Sequence, residues 1–183
     1  MPRPRSTADP GPHAGLRSTA VRRRRARAIG GAGLLALLGT VLVTLDVARV
    51  DGISMEPTLC DGATLLLVRA FTAGPPVPDA LVVLDDPQHP GQSLVKRVAG
   101  IAGQRVLFVD GGLVRDGRAV DEPWVDRSRT PGLYTAPVDV PAGTVYVLGD
   151  NREASIDSRQ LGPLPVSARS ARVLARTTGR CPR

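Results

Sequence analysis

Short apolar runs that recur between glycine, proline and aspartate, with no convincing amphipathic helix among them, predict a mainly β chain. The expected architecture is an antiparallel sandwich- or barrel-like domain. One uncharged stretch near the N-terminus places a single transmembrane helix ahead of it. With 183 residues the chain has room for one such domain with a sizeable core, plus accessory segments.

The charge distribution divides the chain first. Residues 1–27 hold eight arginines and one aspartate, which is the whole of the +7 net charge; the remainder is balanced. That removes the electrostatic case for nucleic-acid binding by the folded part. The tail is rich in Pro, Ser, Gly and Arg, reads as disordered, and ends in the cluster VRRRRAR. Residues 28–45, AIGGAGLLALLGTVLVTL, carry no charge over 18 positions. As a helix they would reach roughly 27 Å, near the thickness of a bilayer's hydrocarbon core. A buried core helix would fit the same composition, but four glycines weaken a soluble helix, and the arginine cluster before the stretch favours insertion.

The expected division is therefore a basic cytoplasmic tail over 1–27, a signal anchor over 28–48 and an extracytoplasmic domain over 49–183. A cleaved secretory signal is the rival, but VTLDVARVDG lacks a clean small-x-small cleavage site. In this topology Cys60 and Cys181 both lie outside the cell, where disulfides persist. They are placed either to tie the C-terminus back towards Ser54 or to stay separate.

Beyond the anchor, ATLLLVRAF, DALVVLDDP, SLVKRVAGI, QRVLFVDGG and TVYVLGDN read as strands, rich in Val and Leu. Asp110-Gly111-Gly112 and Asp116-Gly117 read as tight hairpin turns. Residues 128–143 are Pro/Gly-rich and read as loop. Residues 166–176 carry further regular structure whose type the pattern does not decide.

Lys96, in SLVKRV, is the chain's only lysine among 24 basic residues. An amine packed against Leu94, Val95 and Val98 is driven towards its neutral form, whereas a guanidinium stays charged. An exposed lysine on a strand edge is the plainer reading, but such a position would accept arginine, as the rest of the chain does. A neutral lysine can take the proton of a serine. Ser54, in GISMEPTL just beyond the anchor, is the candidate nucleophile. Histidine offers a poorer base: His13 lies in the tail, and His89 sits in the exposed turn DDPQHPG. The loop GDNREASIDSR, residues 149–159, supplies small polar groups that can brace a site. Ser155 could orient the amine, and Asp157 could pair with Arg159. No His/Cys spacing forms a metal site, and the chemistry needs no cofactor.

SMEPTL, KRVAGIAGQ and GDNREASIDSR, in that order behind an anchor, resemble the type I signal peptidases of the serine/lysine class. The resemblance covers residues 46–164. It implies that Ser54 is the nucleophile and Lys96 the general base, with Ser155 hydrogen-bonded to that lysine and Asp157–Arg159 as a structural pair. DGRAVDEPW resembles a hairpin and Glu-Pro-aromatic element of the family, and ALVVLD its cleft-lining strand. Gly52 stands where some members have a serine that completes the oxyanion hole, which leaves the Ser54 N–H as the donor the motif supplies. The implied activity is removal of signal peptides from exported preproteins at the bilayer surface. A peptidase with one dedicated substrate, a sortase-like Cys/His transpeptidase built on Cys60, and a catalytically silent anchored scaffold are the alternatives. Cys60 lacks a credible histidine partner, and the complete Ser54, Lys96 and Ser155 set argues against silence.

Overall fold

The computed structural model describes residues 45–69, 74–130, 132–167, 169–177 and 181. The expected tail, 1–27, and the expected anchor, 28–48, lie outside these residues apart from the anchor's last four positions. Those four belong to a strand, β1 (Leu45–Arg49). No helix among the described residues is long and apolar enough to cross a membrane.

In chain order the further strands are β2 (Thr64–Arg69), β3 (Leu81–Asp85), β4 (Ser93–Ile101), β5 (Arg105–Val109), β6 (Gly112–Arg115), β7 (Arg118–Ala119), β8 (Val138–Asp139), β9 (Thr144–Leu148), β10 (Leu164–Pro165) and β11 (Ala171–Arg176). A 3-10 turn covers Arg127–Arg129, and a four-residue helix, α1, covers Ser158–Leu161. The strands form a seven-stranded sheet, β1-β2-β11-β3-β4-β9-β10, and a four-stranded sheet, β7-β6-β5-β8. Every pairing is antiparallel.

Each strand read from the Val/Leu runs is present, and 166–176, whose type the pattern left open, yields β11. Val82, Leu84, Val98, Val145, Val147 and Leu164 bury one apolar cluster along β3, β4, β9 and β10. Val50, Met55, Leu59, Leu65, Leu67 and Ala171 form a second around the β1–β2 loop. A third packs Val106, Phe108 and Leu113 of the smaller sheet against Ala99, Tyr146 and Leu148 of the larger. The β5–β6 hairpin turns on Asp110 (φ 50°) and Gly111 (φ 72°), and the β6–β7 hairpin on Asp116 (φ 51°) and Gly117 (φ 76°). Two successive residues with positive φ are what a two-residue type I′ turn requires. A disulfide joins Cys60, in the β1–β2 loop, to Cys181 beyond β11.

Candidate active site

Ser54 lies in the β1–β2 loop, whose base is closed by the Val50 N–H on Ala63 O (2.8 Å) and the Gly62 N–H on Val50 O (2.9 Å). Met55 and Leu59 are driven fully into the second apolar cluster, and the Leu59 N–H donates to Met55 O at 2.8 Å. Those two buried side chains pin the turn, and partly exposed Ser54 immediately precedes the first of them. Among the described residues, the Ser54 N–H has no hydrogen-bond acceptor. Gly52 has φ 94°, a conformation that suits glycine, and its N–H donates to Asp61 Oδ1 at 2.9 Å.

Lys96 is placed by β4. Alternation along the strand sets Leu94, Lys96 and Val98 in one row, with Val82 of β3 as the register partner of Lys96. The side chain is 3% exposed, and its Nζ lies 2.7 Å from Ser54 Oγ. Burial pushes the amine below its ordinary value of 10.5; Asp157, Asp86 and Asp150 oppose this, and Arg159 adds to it. For a neutral amine, the same 2.7 Å line lets the serine hydroxyl donate its proton to Nζ.

The segment 149–159 packs against the same turn. The Asn151 N–H donates to Ser54 O at 3.1 Å, and Asn151 Nδ2 to Ile53 O at 3.3 Å. At Gly149 a Cβ would stand 2.2 Å from Ser155 Oγ and 2.6 Å from Ser54 O, so no side chain fits there. Asp157 is wholly buried and collects five donors. Its Oδ1 accepts from the Arg159 N–H (3.2 Å) and Nε (2.9 Å). Its Oδ2 accepts from the Gly149 N–H (2.9 Å), Ser155 Oγ (2.8 Å) and Arg159 Nη2 (3.0 Å). Asp157 also caps α1, and Gln160 Oε1 accepts the Asp157 N–H in return at 3.1 Å.

Ser54, Lys96, Ser155, Asp157 and Arg159 thus converge from three separate segments, with one change from the expected bonding. The Ser155 hydroxyl donates to the buried Asp157 carboxylate, and among the described residues no hydrogen bond joins it to Lys96. His89 makes no hydrogen bond to these five residues; it is 62% exposed in its turn and paired with Asp86 at 3.0 Å. No group of three or more metal-binding side chains occurs among the described residues.

Several bracing groups were not singled out from the sequence. Arg97, on the opposite side of β4 from Lys96, makes paired bonds to Asp150 (2.8 and 2.7 Å) and stacks over Trp124 at 4.1 Å. Glu122 and Arg152 form an ion pair with both side chains 2% exposed. Position in the motif could have found Asp150 and Arg152, which lie in GDNR. Nothing local in the sequence says that Glu122, 30 residues earlier, meets Arg152.

This constellation sits on residues that match known proteins. The family model for signal peptidase, peptidase S26, matches residues 22–177. Signal peptidase I of Bacillus licheniformis is 33% identical over 118 residues, covering 60% of this chain and 63% of that protein. Signal peptidase I V of Bacillus subtilis is 33% identical over 129 residues, 63% of this chain and 76% of its own length. The probable signal peptidase I-1 of Synechocystis is 33% identical over 144 residues, 72% of each chain. The family match takes in all three converging segments, from the Ser54 turn through β4 to the loop before α1, and with it the chain belongs to the signal peptidase family, peptidase S26.

Proposed function

We propose that this chain is a membrane-bound serine endopeptidase that removes signal peptides from exported preproteins, with Ser54 as nucleophile and Lys96 as general base. The observation that carries the reading is the 2.7 Å approach of Ser54 Oγ to the Nζ of a lysine buried to 3% exposure. Neutral Lys96 takes the Ser54 proton as Oγ attacks the scissile carbonyl carbon. The protonated amine then gives that proton to the departing amide nitrogen, and the C–N bond breaks to leave an acyl-enzyme ester. Lys96 next deprotonates a water, which attacks the ester carbon; Ser54 Oγ leaves and recovers the proton. The free Ser54 N–H points to one oxyanion donor. Asp157 fixes the site from behind, through Ser155, Arg159 and the Gly149 N–H.

Residues 28–44 supply the anchor in this reading, with the tail cytoplasmic and the site beside the outer membrane face, where signal peptides emerge. By resemblance to the family, the substrate lies extended in the cleft with small residues at −3 and −1. The partners are signal-peptide-bearing preproteins and the lipid bilayer.

Purified full-length chain mixed with a preprotein tests the assignment. Wild type should release the mature protein with a single new N-terminus, readable by mass spectrometry. Ser54→Ala and Lys96→Arg should each lose on the order of a thousand-fold or more in rate, while His89→Ala should cleave normally. Full activity in Lys96→Arg would overturn the lysine-base mechanism.

A further inference from the structure

The peptidase mechanism leaves unused the buried ion pair between Glu122, which follows β7 in the DEPW element, and Arg152, in the loop behind the nucleophile. Arg152 Nη2 binds Glu122 Oε1, and Arg152 Nε donates to Gly149 O at 3.0 Å. The Arg152 carbonyl in turn accepts Arg159 Nη2 at 2.8 Å. Gly149 is therefore held at both ends, its carbonyl by Arg152 and its N–H by Asp157. It is also wedged where any Cβ would strike Ser155 and the Ser54 carbonyl. A displacement of Gly149 is thus a displacement of the groups that set Ser54 against Lys96.

The pair is poorly designed as a source of stability alone. Glu122 Oε2 and Arg152 Nη1 are buried without a hydrogen-bond partner. Arg127, at 3.7 Å from Glu122 Oε2, is only an outlying ion-pair partner. Burying two charges with incomplete bonding gains little over an apolar pair of the same volume. What an apolar pair could not do is aim Nε at the Gly149 carbonyl.

We propose that Glu122 is a positioning residue for the Ser54–Lys96 site: it fixes the Arg152 guanidinium, which holds Gly149 and so sets the serine against the lysine. The proposal rests on the peptidase reading given above, but one of its tests does not. Lys96 is the only lysine, so selective labelling of lysine Cε yields one carbon signal whose pH titration follows this amine alone. The charged groups acting most strongly on it are Asp157, Asp86, Arg159 and Asp150. A shift on changing Glu122 therefore reports movement of the site and not loss of a direct charge.

The full chain is compared as wild type, Glu122→Gln, and Glu122→Gln combined with Arg152→Met, all of which keep a single lysine. The combined variant removes the Nε donor and leaves no unpaired buried charge, so it guards against a variant that does not fold. Both variants should move the lysine midpoint towards the ordinary lysine value. Both should lower kcat by about ten-fold or more, the scale of losing an orienting partner, with KM within about two-fold. A lower melting temperature with an unchanged lysine titration and an unchanged kcat per folded molecule would reduce Glu122 to a structural role and overturn the proposal. If wild type itself leaves preproteins intact, the peptidase reading fails, and the lysine titration still decides the positioning claim.

Discussion

In the proposed mechanism the amine at position 96 must be able to lose its proton, while the cation at position 97 keeps its own in an ion pair. Neighbouring side chains on one strand point to opposite sides, so Lys96 enters an apolar row while Arg97 meets Asp150 and Trp124. The lowered value of Lys96 has two measurable consequences. kcat/KM should rise with pH through a midpoint below 10.5 and then level off; a rate still climbing steeply at about pH 10 would mean the amine is not the base. For stability, the unfolded chain holds this proton over a range where the folded chain has released it. The contribution of Lys96 to stability therefore rises as pH climbs through that range and flattens above 10.5. Lys96→Met should lack that slope in denaturant titrations run from about pH 7 to 10. The lysine was legible in the sequence because every other basic residue is arginine. The bond from Ser155 to Asp157 was not, because it depends on where tertiary packing buries that carboxylate.

The segment from Gly149 to α1 behaves as a single brace. Its sequence announces small polar residues after an apolar strand, enough to read an ordered loop. Its function as a brace depends on Gly149 having no side chain. Gly149→Ala should destabilise the fold by about 1–3 kcal/mol through overpacking. It should also slow cleavage by on the order of a hundred-fold, because a displacement of about 1 Å at the reacting atoms is that costly. Thermal melts and kcat measured on the same preparation separate the two effects; a wild-type rate would show that the contact with Ser54 O is not critical. The strands were legible because Val and Leu runs end at Gly, Pro or Asp. β11 was less so: ARVLAR alternates poorly, and only its place between β2 and β3 makes it a strand. Glu122 shows the same limit, since its partner is supplied by tertiary packing.

For the molecule as a whole, the main topological tie is the disulfide from Cys60 to Cys181, spanning 121 residues. Loop closure of that length contributes about 2–5 kcal/mol by restricting the unfolded chain. Reduction, or Cys60→Ser with Cys181→Ser, should lower the melting temperature accordingly. Some activity should survive, because neither sulfur touches Ser54 or Lys96 in the arrangement described. Complete inactivation of a still-folded double variant would revive a role for Cys60 in the chemistry. The expected topology puts both cysteines on one side of the membrane, but the sequence could not pair them, since pairing follows from where the chain runs after β11. The start of the domain was hidden for a related reason. The uncharged stretch runs without a break into LDVAR, so its composition conceals the point where β1 begins.

The order of the large sheet also makes one strand a keystone. Ser54 is carried between β1 and β2, and Lys96 by β4, while β11 is the strand that joins β2 to β3. Without it the two halves of the sheet would share no strand, and the two residues of the proposed dyad would rest on separate halves. The distance between Ser54 and Lys96 is therefore set in part by a strand that carries neither.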